Sequence, residues 1–159
     1  MVSKLENPPH DMFDVVIIGG AMIGSSVAWF LSHNDNFDGR ILVVERDPTY
    51  EKSSTAHTNS CMRQQFSSEL NIRISQFAAD FVRDFRDYMG GDPAVPDLYV
   101  HHFGYMYLAD NETFASRLKQ SHAIQAACGA GTRLMSPGEI SAAYPFYQLD
   151  DIVLGSHNT

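Results

Sequence analysis

One stretch near the start of the chain, residues 13–45, sets the strongest constraint on the fold. It opens with a short, β-rich apolar run that fits a buried strand rather than a helix. The run ends in GGAMIG at 19–24, after which apolar residues recur at helical spacing. A second apolar run, ILVV at 41–44, follows a loop of turn-forming residues and ends on Glu45. The order strand, glycine turn, helix, strand predicts a βαβ unit.

The turn has the residue types that the pyrophosphate of a dinucleotide requires. Gly19 permits a sharp turn, the helix N-terminus offers free N–H groups, and Gly24 lets helix and strand pack closely. Glu45 lies about 20 residues beyond Gly24, where an acid binds a ribose hydroxyl and repels the 2′-phosphate of NADP. Ala21 replaces the middle glycine, and we expect a small shift of the ligand to accommodate its methyl group. The alternative is an ordinary α/β turn whose glycines serve only packing.

Composition and charge narrow the function classes. The 159 residues are 44% hydrophobic, and 19 acidic against 11 basic side chains give a net charge of −8, which disfavours nucleic-acid and anionic-membrane partners. No apolar run could span a membrane and no signal-peptide pattern opens the chain, so we expect a cytoplasmic location. Cys61 and Cys128 form no metal or redox motif, and we expect them to be reduced. No metal-ligand spacing occurs, so no metal site is predicted.

The remaining chain predicts a second region that is only partly present. Residues 46–67 have little apolar periodicity, and so long an irregular stretch is usually functional. Residues 70–89 carry an apolar stripe at helical spacing, which we interpret as a core helix, and a Gly-Gly-Asp-Pro break follows it. The predicted domains are a disordered or extended N-terminus at 1–12, a cofactor-binding βαβ region with its amphipathic helix at 13–92, and a partial substrate or cap domain at 93–159.

Later elements are shorter. Residues 98–103 and 105–108 resemble strands, 111–128 a helix capped by Asn111, and 152–154 the start of another strand. Ser136 opens a short helical turn. One βαβ unit with these strands leaves a parallel sheet unfinished, so we expect an incomplete fold that continues in a longer chain.

These residues resemble the FAD-dependent oxidoreductases of the D-amino-acid oxidase and sarcosine oxidase family, which includes glycine oxidases. The resemblance covers essentially the whole chain. The motifs at 15–26 and 43–47 are widespread among dinucleotide proteins, whereas MRQQFS at 62–67 and GYMYLA at 104–109 are narrower and favour FAD over NAD. The resemblance implies an α/β fold, with a Rossmann-like FAD/NAD(P)-binding βαβ domain and the beginning of an α+β substrate domain.

The resemblance also implies binding roles for particular residues. Gly19, Ala21 and Gly24 would cradle the FAD pyrophosphate, and Glu45 would hold the adenosine ribose with Arg46 beside it.

A second set would lie nearer the flavin. Ser53, Ser54 and Thr55 fall where the family's loop returns toward the phosphates and the flavin-side sugar. Arg63 falls where relatives place a cation near the isoalloxazine ring, which could stabilise the reduced, anionic flavin. A structural ion pair is the alternative role for Arg63. The pair before it, SC at 60–61, departs from the small or glycine pair of the family and puts the local loop path in doubt.

His57 lies in a Ser-Thr-x-His context that carries covalent flavin in dimethylglycine dehydrogenase-like relatives. A solvated loop histidine is the reading that we favour, because short motifs match by chance.

Three functions remain open. The preferred one is an FAD-dependent amino-acid or amine oxidase or dehydrogenase, in which hydride transfer to flavin oxidises a C–N bond of a small amino acid or secondary amine. Its electron acceptor, oxygen or a carrier, is not specified. This chain would be the cofactor-binding N-terminal portion, inactive alone, and no catalytic residue is assigned. The second is a non-enzymatic FAD-binding assembly factor, since the family includes a mitochondrial member that assists assembly of respiratory complex I. The third is an NAD-dependent dehydrogenase with the same fingerprint.

Overall fold

The computed structural model describes residues 10–159, so the predicted disorder of residues 1–12 lies mostly outside the described part. Two compact units divide between Cys61 and Met62. The domain boundary that we predict at 92–93 lies inside the second unit and stays a prediction. Among residues 10–159, no helix combines the length and the apolar character needed to cross a membrane.

The first unit is the predicted βαβ element. Strand β1 (Val15–Ile18) leads into helix α1 (Met22–Ser32), and strand β2 (Ile41–Val44) follows. The two strands pair in parallel, with Val15 opposite Ile41 and Ile18 opposite Val44. A parallel pair requires a crossover connection, which α1 supplies.

Helix α1 lies against one face of this strand pair. Ile17 and Val43 lie on the α1 side, because their side chains approach the glycine turn. A Cβ atom at Gly24 would lie 3.1 Å from Ile17 Cγ2, and one at Gly20 would lie 3.3 Å from Val43 Cγ1. The opposite face carries Val16, Ile18 and Val44, and Ile18 is 89% exposed. Apolar strands with one bare face agree with the expectation of an incomplete fold.

The second unit combines helices with an antiparallel sheet. The sheet has the strand order β3-β5-β4, so the last of its three strands in sequence is the central one. Its elements are α2 (Glu69–Arg83), α3 (Phe85–Tyr88), β3 (Tyr105–Ala109), α4 (Glu112–Ala127), β4 (Arg133–Met135), α5 (Pro137–Ala143) and β5 (Leu154–Asn158).

The two later helices begin where the sequence predicts. The Asn111 side chain accepts a hydrogen bond from the Phe114 N–H at 2.9 Å and caps α4. Ser136 and Glu139 form a reciprocal capping box at the start of α5. Gly129 ends α4 with a φ of +69°, a conformation that glycine adopts without strain.

The interpretation of residues 70–89 as one core helix is wrong in two respects. The helix is interrupted at Asp84, which separates α2 from α3. The predicted apolar stripe is not core, because Leu70, Ile74 and Phe77 are exposed, Ile74 by 56%, while its later members Phe81 and Phe85 are only half-buried. Ile72 is instead fully buried, in a cluster with Cys128. The reason is that α2 turns a different face, including Ile72 and Gln76, toward the end of α4, where the Gln76 amide donates to the Cys128 carbonyl at 2.9 Å.

The predicted strand at 98–103 is also wrong. Residues 98–103 form no strand pair in the described chain, since β3 pairs with β5 alone. Their apolar side chains are largely exposed, and the His101 ring contacts the rings of Tyr99 and Phe103. The strand start predicted at 152–154 is shifted, because the observed strand begins at Leu154 and runs through the polar residues 156–158.

Candidate functional site

The turn between β1 and α1 depends on glycine at two positions. Gly19 has a φ of +96°, and its N–H donates to the Val44 carbonyl at 2.8 Å. A Cβ atom at Gly24 would lie 1.8 Å from the Gly19 carbonyl oxygen, so no side chain fits there. Ala21 has a φ of −67° and a ψ of −166°, an extended conformation that any residue adopts. Its methyl group therefore introduces no backbone strain.

The start of α1 has hydrogen-bond donors to offer. Ala21 precedes the helix and provides no side-chain cap. Within residues 10–159, no acceptor bonds the N–H groups of Met22, Ile23 or Gly24. Free N–H groups at the positive end of a helix dipole are the ordinary binding partners of a phosphate. The absence of a side chain at Gly24 and these free donors fit a pyrophosphate group.

Glu45 is held beside the turn by two backbone donors. Its Oε2 accepts from the Gly20 N–H and its Oε1 from the Asp47 N–H, both at 2.8 Å. These bonds, the Asp47 bond first, lower the pKa of the Glu45 carboxyl, and burial opposes them. Glu45 is therefore anionic and oriented at the carboxyl end of β2. Each carboxylate oxygen retains a further lone pair, which a ribose hydroxyl could use.

Tyr50 also belongs to this turn, although sequence reasoning missed it. Its hydroxyl oxygen lies 3.0 Å from the position that a Cβ atom at Gly20 would take. Its φ of +57° is unusual for a bulky residue. No sequence pattern predicts a positive φ at a tyrosine, so the role of Tyr50 could not be predicted.

The other predicted residues of the first unit lie farther along the chain. Arg46 is exposed and forms no ion pair with residues 10–159. Residues 53–57 form consecutive turns, in which the Ser53 hydroxyl oxygen accepts from the Ala56 N–H and the Ser54 carbonyl accepts from the His57 N–H. In the described chain no hydrogen bond joins Ser53, Ser54 or Thr55 to the glycine turn.

Arg63 belongs to the second unit, where aromatic rings surround it. Its guanidinium carbon lies 4.7 Å from the ring centre of Phe66, 5.3 Å from that of Tyr105 and 5.8 Å from that of Tyr107. Its Nε is buried and bonds no described residue, and the described chain offers it no ion pair. Burial raises the pKa of the Tyr107 hydroxyl, and the charge of Arg63 partly opposes that effect. The cation is fixed by ring faces rather than by an anion.

A cavity of about 280 Å³ lies beside Arg63 in this unit. Hydrogen bonds from the segment after Arg63 to β5 hold one wall, since the Gln64 N–H donates to Asn158 Oδ1 at 3.2 Å. Residues from this segment, β3, α4 and β5 line the cavity; they include Arg63, Gln65, Tyr107, Phe114, Gln125 and Ser156.

Two glutamines of the cavity wall have a fixed amide orientation. Gln65 Nε2 donates to the Ser156 carbonyl at 2.8 Å, and Gln125 Nε2 donates to the Phe66 carbonyl at 3.1 Å. Because a carbonyl only accepts, neither amide can be flipped. Both Oε1 atoms are buried without a hydrogen-bond partner in the described chain. The MRQQFS motif contains Gln65, but its spacing alone did not indicate this role, and nothing in the sequence indicated Gln125.

The opposite face of β5 carries a further polar pair, in which His157 is buried and Tyr144 is half-buried. His157 Nε2 lies 3.2 Å from the Tyr144 hydroxyl, and Gly104 leaves the space that its imidazole occupies. Burial lowers the pKa of His157, and the nearby charge of Arg133 adds to that effect. Among residues 10–159, no group of three or more potential metal ligands converges, and both cysteines are free thiols.

Comparisons with known proteins agree with the turn and the resemblance. A protein-family model described as DAO, FAD dependent oxidoreductase, matches residues 14–158. "FAD-dependent oxidoreductase domain-containing protein 1" of Bos taurus is 37% identical over 153 residues, which are 94% of this chain and 31% of that protein. The Drosophila melanogaster homolog is 38% identical over 156 residues, 96% of this chain and 30% of that protein. The chain thus spans just under a third of the length of these relatives.

Solved structures share the fold. L-Proline dehydrogenase from P. horikoshii superposes with a TM-score of 0.69 at 22% identity, covering 91% of this chain and 36% of that one. Glycine oxidase from Bacillus cereus superposes with a TM-score of 0.58 at 18% identity, covering 92% and 38%. The α/β fold is therefore that of an N-terminal FAD-binding region, as predicted, and it is incomplete relative to those chains. The chain belongs to the DAO family of FAD dependent oxidoreductases, whose cofactor is FAD.

Proposed function

We propose that this chain is the cofactor-binding part of an enzyme that oxidises a C–N bond of a small amino acid or secondary amine. The observation that carries the proposal is the glycine turn with its free N–H donors beside the anchored carboxylate of Glu45. Membership in the FAD dependent oxidoreductase family supplies the cofactor class, and the neighbours named proline dehydrogenase and glycine oxidase suggest the substrate class.

In this proposal, the first unit binds the adenine-nucleotide end of FAD. The N–H groups of Met22 and Ile23 donate to the pyrophosphate, the missing side chain of Gly24 leaves room for close helix packing, and Glu45 accepts from a ribose hydroxyl. The Glu45 charge also repels a 2′-phosphate. We assign Arg46, Ser53, Ser54 and Thr55 to the walls of the same cofactor site on the strength of the resemblance alone.

FAD, when bound, would supply a hydride acceptor: the amine would lose a hydride from the carbon beside nitrogen and a proton from the nitrogen, and water would hydrolyse the resulting imine to a carbonyl compound and an amine or ammonia. The contribution proposed for Arg63 is a fixed positive charge near the flavin ring. Its ring contacts preorganise the guanidinium without neutralising it, so its charge stays available for an anion.

The flavin spectrum of the complete polypeptide that contains this sequence tests the reaction. We expect D-amino acids or N-methyl amino acids to bleach the oxidised flavin band under anaerobic conditions. A bound flavin that no amine reduces would rule out the proposed reaction.

Precipitation with acid tests whether His57 carries the flavin covalently, because yellow colour in the supernatant means that the flavin is not covalently attached.

A non-enzymatic FAD-binding assembly factor is the second candidate. The names of the curated relatives state a domain and a cofactor but no substrate. The resemblance described above also implies a family member that acts in assembly of a respiratory complex. This candidate predicts a stably bound flavin whose spectrum remains oxidised with every amine tested.

A further inference from the structure

We infer that Tyr50 is a positioning residue for the adenosine end of FAD, because its phenol packs beside Gly20 and holds the glycine turn against Glu45. The inference rests on the nucleotide site proposed above and is independent of the reaction proposed for the flavin.

The space beside Gly20 is filled by neighbouring side chains. A Cβ atom at Gly20 would lie 3.0 Å from the Tyr50 hydroxyl oxygen and 3.3 Å from Val43 Cγ1, closer than the 3.4–4 Å of ordinary van der Waals contact. The backbone does not demand glycine at this position, since Gly20 is not among the glycines with a positive φ. The second residue of the GGAMIG turn therefore lacks a side chain because Tyr50 and Val43 occupy its place.

Hydrogen bonds join Tyr50 to the same turn by a second route. The Tyr50 N–H donates to the Asp47 carbonyl at 3.0 Å, and the Asp47 N–H donates to Glu45 Oε1 at 2.8 Å. Glu45 Oε2 accepts from the Gly20 N–H at 2.8 Å. These three bonds and the phenol contact form a closed ring through four residues. The orientation of the Glu45 carboxylate thus depends on the backbone of Tyr50 through Asp47 and on its phenol through Gly20.

The backbone of Tyr50 is held in a strained conformation. Its φ of +57° lies in the left-handed region, which is unfavourable for a bulky residue and persists only where surrounding contacts determine it. The Ser53 N–H donates to the Tyr50 carbonyl at 2.9 Å, so hydrogen bonds hold the residue on both sides. Strained residues of this kind cluster at ligand-binding sites. We attribute the strain to the requirement that the phenol reach Gly20.

A double-mutant cycle in the complete polypeptide that contains this sequence tests the inference after removal of FAD. The probes are FAD, followed by quenching of its fluorescence, and ADP, which has the adenosine end without the flavin and is followed by calorimetry. Both are measured well below the melting temperature. We expect Gly20→Ala to weaken the binding of both probes by a similar factor, at least about threefold, because the methyl group displaces the turn from Glu45.

Tyr50→Phe removes the hydroxyl oxygen that this methyl group would meet. In the Tyr50→Phe background we therefore expect Gly20→Ala to change either affinity by less than about twofold. Gly138→Ala is the matched control, because it adds a methyl group in the second unit where nothing lies within 4 Å, and it should leave both affinities unchanged. A merely structural role for Tyr50 would lower the melting temperature and leave the nucleotide affinity of the folded protein unchanged.

Tyr50→Gly provides a second test if Gly20→Ala does not fold. Glycine adopts a φ of +57° without strain, so this variant relaxes the backbone and removes only the phenol contact. We expect ADP to bind at least about threefold more weakly to this variant than to the wild-type protein.

Two results would overturn the inference. One is an ADP affinity that Gly20→Ala leaves unchanged, or reduces equally in the wild-type and Tyr50→Phe backgrounds. The other is wild-type ADP affinity in Tyr50→Gly. Glu45→Ala tests the nucleotide site itself, and unchanged ADP binding in that variant would reject the site and this inference with it. Failure of amines to reduce the flavin would reject only the proposed reaction, so the two hypotheses fail separately.

Discussion

Gly24 and Gly19 meet at a distance that leaves no room for a methyl group, since a Cβ atom at Gly24 would overlap the Gly19 carbonyl oxygen. The obstacle is backbone, which cannot rotate away as a side chain would. We predict that Gly24→Ala destabilises the protein by about 3 kcal/mol and reduces FAD retention, because helix and turn must separate. Chemical denaturation and the flavin content after gel filtration measure the two effects.

Gly138→Ala is the matched control for that substitution. Gly138 lies inside α5 and nothing within 4 Å would meet its Cβ atom. Alanine is the better helix former, so we expect a gain of about 0.5–1 kcal/mol. Equal destabilisation by both substitutions would contradict the close-packing explanation.

Glu45 makes the first unit sensitive to acid. Its carboxyl has a lowered pKa in the folded protein, so its contribution to stability is fully present above about pH 4.3, the ordinary value for glutamate. That contribution is lost as the pH falls through the lower folded value. We predict that Glu45→Gln reduces stability at neutral pH and weakens the acid dependence below pH 4.3, measured by denaturation from pH 2 to 7. Glu51→Gln, in the same unit, controls for the change in net charge.

At this scale the sequence indicated that Gly19, Gly24 and Glu45 meet at one turn, and it did not indicate the cavity. Gly19, Gly24 and Glu45 are recognisable because a short motif encodes their spacing. Gln65 and Gln125 come together only through tertiary packing, some 60 residues apart, so no local pattern indicates their shared cavity.

Among the elements, α2 shows how a strong helical pattern can misidentify the buried face. Ile72 is fully buried and Ile74, two positions along, is 56% exposed. We predict that Ile72→Ala costs about 2–5 kcal/mol, because it leaves a cavity against Cys128 and Ala130. Ile74→Ala should cost less than 1 kcal/mol in this chain. Urea midpoints of the two variants provide the comparison, and a reversed order would contradict the assignment of the buried face.

The cap of α5 gives a second test. Ser136 accepts from the Glu139 N–H, and Glu139 accepts from the Ser136 N–H in return. We predict that Ser136→Ala lowers stability by about 1 kcal/mol, measured by thermal denaturation. Ser141→Ala, on the exposed side of the same helix, should be neutral or slightly stabilising, because alanine is the better helix former.

Elements with local signals were predicted and those without them were not. The βαβ unit, α4 and α5 have apolar periodicity or capping residues, and all were found. β5 has neither, since Ser156, His157 and Asn158 are buried polar residues whose place is determined by pairing with two other strands. The segment at 98–103 has strand composition but no strand partner in the described chain, which composition cannot reveal.

At the scale of the whole molecule, the first unit exposes an apolar surface to solvent. Val16, Ile18 and Val44 lie on the bare face of β1 and β2. The chain spans just under a third of its curated relatives. We predict that the 159 residues expressed alone bind the dye ANS strongly and that the complete polypeptide binds it weakly. Ile18→Lys should reduce dye binding by the short form, and equal binding by both wild-type forms would contradict the prediction.

The position of β5 affects how the second unit folds during synthesis. The strand is the last of the three in sequence and central in the sheet, and Gln64 bonds to Asn158 across nearly the full length of the unit. At ordinary translation rates, the wait between the emergence of Gln64 and that of its partner is on the order of ten seconds. During that interval α4 can form locally, whereas β3 and β4 have no strand between them. The two strands of the βαβ unit lie much closer together in the sequence, so the wait is shorter and the glycine turn can form before the cavity beside Arg63 does.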